Sequence, residues 1–180
     1  MNTDGEGTLS SLPTATRDRY TFGGWYTQAE GGEEITTSYI FTQDTTVYAH
    51  WNVIHVTAVT LDKTLVTLEA GNTAKLVATV TPSDATVQTV TWTTSDASIA
   101  AVSSDGTITA IKAGTVTIKA VADGKEAACT VKVNSLVFTV TFNANGGSCD
   151  TVSMETGAEC KLASLPDAIR DRYTFGGWYT

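Results

Sequence analysis

Basic residues are scarce in this chain, and it has no long apolar run. The sequence carries 11 Lys and Arg against 19 Asp and Glu, for a formal net charge of −8 at pH 7. This balance disfavours a phosphate-binding surface, so we predict that nucleic acid is not a partner. No apolar run approaches the roughly 18 residues of a membrane-spanning helix, so we predict no membrane insertion in this segment.

Signal-peptide features are also missing from the first residues. They carry neither a basic stretch nor an apolar stretch of the kind that directs export. Two explanations stay open, a cytoplasmic protein or an internal piece of a longer exported one. In the second case we expect the signal and the anchor to lie outside this segment.

Cysteine is rare, and its count is odd, since only Cys129, Cys149 and Cys160 are present. An odd count forbids complete pairing within one chain. Cys129 occupies an inward position of an alternating stretch, which predicts a buried thiol that acts as a small hydrophobe. Cys149 and Cys160 flank a predicted hairpin, and their pairing as a disulfide or persistence as thiols stays open because their separation in space is unknown.

Threonine and valine are abundant instead. They number 34 and 17 among the 180 residues. These β-branched side chains favour strands, so the composition predicts an all-β protein and argues against a helical bundle rich in alanine and leucine. With 42% hydrophobic and 17% charged residues, the chain is also unlike a disordered one.

An internal repeat organises the sequence. Residues 11–27 recur as residues 164–180, with differences only where Thr14 becomes Asp167 and Thr16 becomes Ile169. The offset is 153 residues, which indicates tandem duplication.

The repeat divides the chain into three predicted domains. They are a first flank (1–52), a central domain (53–134) and a second flank (135–180).

The central domain shows strand patterning. Short runs alternate between polar and apolar residues and are broken by turn signals roughly every 10 residues. The alternating apolar positions include Ala74, Leu76, Ala78, Val80, Val90, Trp92, Val116, Ile118 and Ala120. This pattern predicts a two-sheet β-sandwich with Trp92 as its large core side chain.

Several central motifs carry a family resemblance. The sequence reads WTTS at 92–95, IAAV at 99–102, GTITA at 106–110 and GTVTIKA at 114–120. Over about residues 55–134 this pattern resembles the group 2 bacterial immunoglobulin-like domain. The resemblance implies an extracellular β-sandwich, common in adhesins and as a spacer in secreted enzymes, without catalytic residues or cofactors.

The flanks resemble a second family. YTFGGWY at 20–26 followed by TTVYAHW at 45–51, and VTFNANGG at 140–147, are similar to the Listeria–Bacteroides repeat, the B repeat of internalin-type proteins. That resemblance implies a small β-grasp-like module on each side of the Ig-like β-sandwich. Both modules are partial. Residues 1–52 lack the first strand, whereas residues 136–180 have that strand but lack everything after Thr180.

The missing strand suggests a partner. Phe138, Val140 and Phe142 alternate on one face and are expected to point inward, at about 1.5–3 kcal/mol for each large apolar side chain buried. We therefore expect residues 136–148 to add a strand to residues 1–52, between chains rather than within one, which gives a homo-oligomer by strand exchange. The alternative is a fragment with frayed ends, and both stay open.

Four aromatic residues of the repeated motif are candidate binding residues. Tyr20, Phe22, Trp25 and Tyr26 either form a platform on which a ligand stacks or form the core of the module. A large exposed apolar patch at Trp25, Tyr26 or Trp51 would favour ligand binding, whereas burial of these rings would favour a structural role.

Motifs for catalysis are missing. His50 and His55 lack further ligands at metal-site spacing, and no nucleophile sits in a catalytic motif, so we predict no metal, no cofactor and no enzymatic activity. The glycine pairs, such as Gly23-Gly24, lack a phosphate-loop pattern and predict bulges and turns. Ser104-Asp105-Gly106 predicts a turn rather than a calcium loop.

These observations lead to one expected function and two alternatives. We expect a non-catalytic repeat segment of a bacterial cell-surface or secreted protein, located outside the cell and acting as a stalk or spacer in adhesion. The first alternative is a module that binds a carbohydrate or a host protein. The second alternative is an accessory domain of a secreted hydrolase.

Overall fold

All regular secondary structure in the described part of the chain is β-strand, which confirms the predicted all-β class. The computed structural model describes residues 3, 5–157 and 160–179. The strands are β1 (Tyr20–Tyr26), β2 (Glu34–Ile35), β3 (Tyr48–Val53), β4 (Ala58–Leu61), β5 (Leu65–Glu69), β6 (Thr73–Lys75), β7 (Ala78–Thr81), β8 (Thr91–Thr94), β9 (Ala100–Val102), β10 (Thr107–Ala110), β11 (Gly114–Ala122), β12 (Lys125–Asn134), β13 (Thr139–Thr141) and β14 (Ser153–Glu155).

The strands of the described residues form five sheets. The first flank holds a sheet of order β2-β1-β3, the second flank holds the hairpin β13-β14, and the sheets between them have the orders β4-β7, β6-β10-β9 and β5-β12-β11-β8. Across the residues described, no helix has the length and apolar character needed to cross a membrane.

The chain divides into two compact units. The first comprises Met1–Asp62, Ala78–Thr91 and Ala120–Ala127. The second comprises Lys63–Val77, Trp92–Lys119 and Ala128–Thr180. The predicted division into three domains stays a prediction, because segments of the central region fall in both units.

The first unit combines the first flank with part of the central region. Its three-stranded sheet is antiparallel, with Tyr20 opposite Val53 and Trp25 opposite both Ala49 and Ile35. Strands β4 and β7 form a separate antiparallel pair, with Ala58 opposite Thr81 and Leu61 opposite Ala78. The buried apolar residues of this unit are Ile35, Val56, Val59, Ala85, Ala120 and Ala122.

The second unit contains the main apolar core of the sandwich. Its buried apolar side chains are Val66, Leu76, Ala100, Ile108, Ala110, Val116, Ile118, Cys129, Val131, Val133 and Phe142. They alternate with exposed neighbours along β11 and β12, because a half-buried strand needs a period of two. The alternation predicted at Leu76, Val116 and Ile118 is therefore confirmed.

Trp92 packs against the turn between β9 and β10. A side chain at Gly106 would place its Cβ 2.7 Å from the Trp92 ring, so only glycine fits there. Trp92 is half-buried rather than enclosed. Trp92 is thus a packing residue at the predicted position, although it is not fully enclosed.

The turn from Ser103 to Thr107 is closed by Asp105. Its carboxylate accepts hydrogen bonds from Lys75 Nζ, from Ser103 Oγ and from the Thr107 backbone and hydroxyl. The Lys75 bond, followed by those from Ser103 and Thr107, holds the pKa of Asp105 well below its usual range. The predicted turn is therefore confirmed, and its acid is used within the turn itself.

Candidate functional site

A β-bulge in strand β1 decides which of its side chains share a face. Phe22 lies opposite Trp51 and Gly24 lies opposite His50, so Gly23 is the extra residue. A bulge shifts the alternation by one position, which brings Phe22 and Trp25, three residues apart, onto the same face. The prediction that Gly23-Gly24 permits a bulge is confirmed.

Phe22, Trp25 and Trp51 form what we call the first aromatic cluster. The Phe22 ring lies edge-on to both tryptophans, with centroids 5.5 Å from Trp25 and 5.7 Å from Trp51. This arrangement places the positive edge of one ring against the negative face of the next. All three rings are half-buried, so the cluster is neither an open platform nor a sealed core.

The other two aromatic residues of the motif are engaged separately. Tyr26 stacks on His50 with ring centroids 3.8 Å apart, and His50 Nε2 lies 3.0 Å from the carbonyl oxygen of Gln28. The Arg17 guanidinium lies 4.0 Å from the centroid of the Tyr20 ring, within cation–π range. Phe22 and Trp25 thus contact each other, whereas Tyr20 and Tyr26 contact Arg17 and His50.

An open groove of about 690 Å³ lies beside the first aromatic cluster, and we call it the Trp25 groove. Its lining combines apolar and polar residues, namely Thr3, Leu9, Leu12, Pro13, Trp25, Ile35, Phe41, Thr42, Gln43, Asp44, Thr45 and Val47. Its volume is within the range of small-molecule sites, but its lining is more polar and more open than is usual for them. Sequence reasoning found Trp25 but missed the groove, because the other walls come from segments without a shared motif.

The indole nitrogen of Trp25 fixes one wall of this groove. Trp25 Nε1 donates a hydrogen bond of 2.7 Å to the carbonyl oxygen of Pro13. Opposite Trp25 in the sheet lies Ile35, whose side chain is 2% exposed. The Trp25 ring is thus held by a backbone contact on one side and by a buried aliphatic neighbour on the other.

The second copy of the motif has similar local contacts but forms no strand. Trp178 Nε1 donates to the carbonyl oxygen of Pro166, also at 2.7 Å, and the centroids of Phe175 and Trp178 lie 5.4 Å apart. Tyr173, Phe175 and Tyr179 are nevertheless exposed. The described residues of this copy therefore share the local geometry of the first copy without its sheet.

Phe142, the residue directly after β13, packs against Trp178. Phe142 is buried, and its ring centroid lies 4.8 Å from that of Trp178. Val140 is half-buried, whereas Phe138 is 52% exposed. The expectation that all three would point inward is wrong for Phe138, which stays exposed at one end of a two-stranded hairpin.

The first strand of the second flank pairs within its own flank. Val140 lies opposite Met154 in the β13-β14 hairpin. Phe138 and Thr156 extend the pairing, since the Phe138 N–H donates to Thr156 Oγ1 at 2.9 Å and the Thr156 N–H donates to the Phe138 carbonyl at 2.8 Å. Strand exchange between chains stays a prediction.

Thr86 joins the first flank to the β4-β7 region within the first unit. Its N–H donates to the Ile54 carbonyl, and its hydroxyl accepts the Ile54 N–H, both at 2.9 Å. The same hydroxyl donates to the carbonyl oxygen of Arg19. A single threonine therefore bonds to Arg19 within the first flank and to Ile54 just after it, which sequence reasoning missed because partners 67 residues apart leave no local signal.

Asp123 makes a second contact at this junction. Its Oδ2 accepts the Val56 N–H at 3.0 Å and lies 2.9 Å from His55 Nδ1. The His55 bond, followed by the Val56 bond, lowers the pKa of Asp123. We call Thr86 and Asp123, together with their partners, the junction clasp.

All three cysteines are free thiols in this structure. Cys129 is fully buried in β12, which confirms its prediction as a small hydrophobe. Cys149 and Cys160 are free thiols, so no disulfide joins them in this structure. Cys149 Sγ instead lies 3.0 Å from the Thr151 carbonyl oxygen, and Cys160 Sγ lies 3.9 Å from that of Leu136.

Both histidines have partners within the fold. His50 stacks on Tyr26, and His55 bonds to Asp123. Among the residues with described positions, no group of three or more His, Cys, Asp or Glu side chains is arranged to hold a metal ion.

Two curated relatives from one organism are sugar-cleaving enzymes by name. An alpha-L-arabinofuranosidase of Bifidobacterium longum is 46% identical over 82 residues, which are 43% of this chain and 8% of the relative. A 3-O-alpha-D-galactosyl-alpha-L-arabinofuranosidase of the same species is 47% identical over 53 residues, or 29% of this chain and 5% of the relative. The chain thus spans less than a tenth of the length of either enzyme.

A further relative and two solved structures complete the comparison. An uncharacterized protein of Clostridium acetobutylicum is 41% identical over 95 residues, which are 51% of this chain and 10% of that protein. Domains 4 and 5 of the S-layer protein SbsC match with a TM-score of 0.40 and 21% identity, covering 50% of this chain and 59% of that one. An intimin mutant of EHEC O157:H7 matches with a TM-score of 0.35 and 21% identity, covering 47% and 50%.

Two family models match the chain where the sequence patterns placed them. The bacterial Ig-like domain (group 2) matches residues 55–133, and the Listeria-Bacteroides repeat domain matches residues 1–50 and 138–180. Both resemblances, and the Ig-like β-sandwich with flanking repeat modules, are confirmed. The chain belongs to the Listeria-Bacteroides repeat family, and its two repeat segments flank a group 2 bacterial Ig-like domain.

Proposed function

We propose that the chain is a non-catalytic spacer segment of a bacterial protein exported to the cell surface, where it extends the reach of an adhesive region. The observation that carries this proposal is the junction clasp. The first flank and three segments of the central region belong to one compact unit, and Thr86 and Asp123 bond across the chain within it. Folded units connected without a loose joint keep a repeat array extended.

The clasp suits a stiff joint between the flank and the central region because its bonds involve the backbone. Thr86 and Ile54 exchange two hydrogen bonds, and Asp123 holds the Val56 N–H. Each bond contributes only about 1 kcal/mol on its own. The bond from the Thr86 hydroxyl to the Arg19 carbonyl oxygen reaches the flank itself, and the bonds at Ile54 and Val56 fix the chain that directly follows the flank.

Residual dipolar couplings test the stiffness of this joint. We expect the amides of β1 and β3 to share one alignment tensor with those of β4 and β7 in the full chain. Thr86→Val, which removes the hydroxyl but keeps the shape, should separate the two tensors, whereas Thr89→Val at an exposed position should not. Two independent tensors in the unmodified chain would contradict the spacer proposal.

A ligand screen tests the passive character of the segment. The full chain is applied to arrays of glycans and of host surface proteins, and we expect no reproducible binding. A hit that Trp25→Ala abolishes would overturn the proposal in favour of a binding module, because it would place the ligand at the Trp25 groove.

A second candidate is an accessory segment of a secreted glycoside hydrolase. It is favoured by the identity of 46% and 47% to two arabinofuranosidases, and the small covered share of those enzymes is consistent with a region separate from a catalytic domain. Affinity electrophoresis in gels containing arabinan is the test. Retardation of the full chain would support this candidate, and unchanged mobility would count against an accessory role in substrate binding.

A further inference from the structure

We propose that strands β5 and β12 form a mechanical clamp, which keeps the Ig-like domain folded when the chain is pulled along its length. The use of such a clamp rests on the proposed spacer role, since a spacer between a cell and an attached surface is placed under tension. The paired residues, Leu65–Glu69 and 130–134, all belong to the second compact unit.

The two strands of the clamp run parallel. Leu65 lies opposite Thr130 and Glu69 lies opposite Asn134, with the residues between them in register. β12 is the last strand of the central region, and β5 comes early in it. The chain therefore enters the pair at one end, ahead of Leu65, and leaves it at the other end, after Asn134.

A pull along the chain thus slides the two strands past each other. The hydrogen bonds of the ladder lie across the direction of this pull, so they share the tension and must break together. In a pair that the chain enters and leaves at the same end, the bonds break one after another instead. Forced unfolding depends on the unfolding rate, and this rate is lower where several bonds must break in one step.

Backbone hydrogen bonds close the ladder at both ends. The Thr130 N–H donates to the Thr64 carbonyl oxygen at 2.9 Å, ahead of the first residue pair. The Ala70 N–H donates to the Asn134 carbonyl oxygen at 3.0 Å, beyond the last pair. The whole length of the ladder is therefore available to resist sliding.

One face of the clamp is apolar and closed to water. Val66 lies opposite Val131, and their side chains are 8% and 0% exposed. Val133, which lies opposite Leu68, is also buried. A hydrogen bond is stronger where water is excluded, so this packing raises the resistance of the ladder to sliding.

Pulling the same folded chain in two directions tests the clamp. Handles are attached to the full chain through an azide-bearing residue at exposed positions, either 64 and 134 or 72 and 134. The first pair of handles slides the strands, whereas the second pair, near one end of the ladder, peels them apart. Each direction should release about 20 nm of chain, and we expect the peeling force to be at least twofold lower. Equal forces in the two directions would overturn the proposal.

A proline variant tests whether the ladder bonds themselves resist the pull. Ala70 is the second residue of the turn Glu69–Asn72, which the Asn72 N–H closes by donating to the Glu69 carbonyl oxygen, and Gly71 has a φ of 90°. Proline is favoured at this position of a type II turn. Ala70→Pro therefore removes the bond to Asn134 and keeps the turn.

Thr67→Pro is the matched control on the same strand. Backbone groups alternate in direction along a strand, so the bonds at Thr64 and Ala70 place the Thr67 N–H on the side away from β12. β5 is the end strand of its sheet, where proline is tolerated on that side.

Unfolding rates at a fixed sliding force compare the two variants. Ala70→Pro should speed unfolding about fivefold, the factor that corresponds to one hydrogen bond, and Thr67→Pro should leave the rate unchanged. Equal rates for the two variants would overturn the clamp. The dipolar couplings described above measure stiffness independently, so failure of the clamp and failure of the spacer role are distinguishable.

Discussion

The two copies of the repeated motif have nearly the same sequence and different structures. In the first flank, residues 20–26 form strand β1 between β2 and β3. In the second flank, residues 173–179 form no strand, and Tyr173 and Tyr179 are 67% and 87% exposed. A comparison inside one molecule thus separates what a motif specifies from what its surroundings add.

Local geometry belongs to the motif itself. Arg19 and Arg172 both adopt positive φ, at 59° and 65°, and the equivalent glycines Gly24 and Gly177 have φ of 112° and 115°. Extended pairing belongs to the surroundings, because β3 lies beside the first copy, whereas among the described residues no strand pairs with residues 173–179. The motif therefore sets a turn and an aromatic contact, and a partner strand makes it a strand.

The largest expected effect on the free energy of unfolding is that of truncating Ile35, a buried residue of the first flank. Ile35 is 2% exposed and lies opposite Trp25. Ile35→Ala should destabilise the first flank by about 3 kcal/mol, as expected for a truncated core residue, and should expose β1 to solvent as the second copy is exposed. Urea unfolding followed by tryptophan fluorescence measures the change.

The control for this prediction lies in the second flank. Ile169 is 74% exposed, so Ile169→Ala should change the free energy of unfolding by no more than about 0.5 kcal/mol. Equal losses for the two isoleucine variants would contradict the view that the first copy alone is built into a core.

Equivalent phenylalanines give a sharper comparison. Phe22 contacts Trp25 and Trp51, whereas Phe175 contacts Trp178 and is 42% exposed. Phe22→Ala should cost about 2 kcal/mol and Phe175→Ala less than about 1 kcal/mol, because truncation costs scale with burial. Chemical denaturation of the two variants measures their losses in the free energy of unfolding. A larger loss for Phe175→Ala than for Phe22→Ala would contradict this prediction.

A smaller difference in stability is expected between variants of the bulge glycine Gly23 and of its repeat equivalent Gly176. A Cβ at Gly23 would meet the Asn52 side chain at 3.1 Å and the His50 carbonyl oxygen at 3.3 Å, while Gly176 has nothing within 4 Å. Gly23→Ala should cost about 1 kcal/mol, and Gly176→Ala should be neutral or slightly stabilising because it restricts the unfolded chain. Thermal unfolding measures both, and a neutral Gly23→Ala would show that the bulge is not tightly packed.

The smallest expected effect is the pH dependence of the junction clasp. The pKa of Asp123 is lowered by its bonds from His55 and Val56, so the folded state binds its proton less readily than the unfolded state does. The stabilisation is therefore present above the ordinary aspartate pKa of about 3.9 and is lost as the pH falls through the lower folded value.

Nuclear magnetic resonance follows this titration directly. The Val56 amide shift should move with a midpoint below the ordinary aspartate range, and Asp123→Asn should abolish the step. The amides of residues 173–179 should show no matching transition. A midpoint at the ordinary value would mean that the clasp does not hold the charged carboxylate.

Sequence patterns predicted the parts of the fold that depend on periodicity. Leu76, Val116 and Ile118 are buried where period-two alternation placed them, because burial on one face is encoded residue by residue. The bulge at Gly23-Gly24 was predicted for a similarly local reason, since only glycine tolerates that backbone without strain.

Contacts between distant segments could not be predicted in this way. The Trp25 groove gathers walls from residues 3–47, and Thr86 bonds to Arg19 across 67 residues, so neither has a local signature. The exposure of Phe138 also depended on distant structure, because alternation tells which residues share a face but not whether anything covers it.

Hydrogen exchange at the two copies tests the central claim, which is that the partner strand and not the motif makes β1 a strand. The amides of Tyr20–Tyr26 and those of residues 173–179 are compared in a single sample of the full chain. The account predicts protection of the first set and rapid exchange of the second. Equal protection of both sets would contradict it.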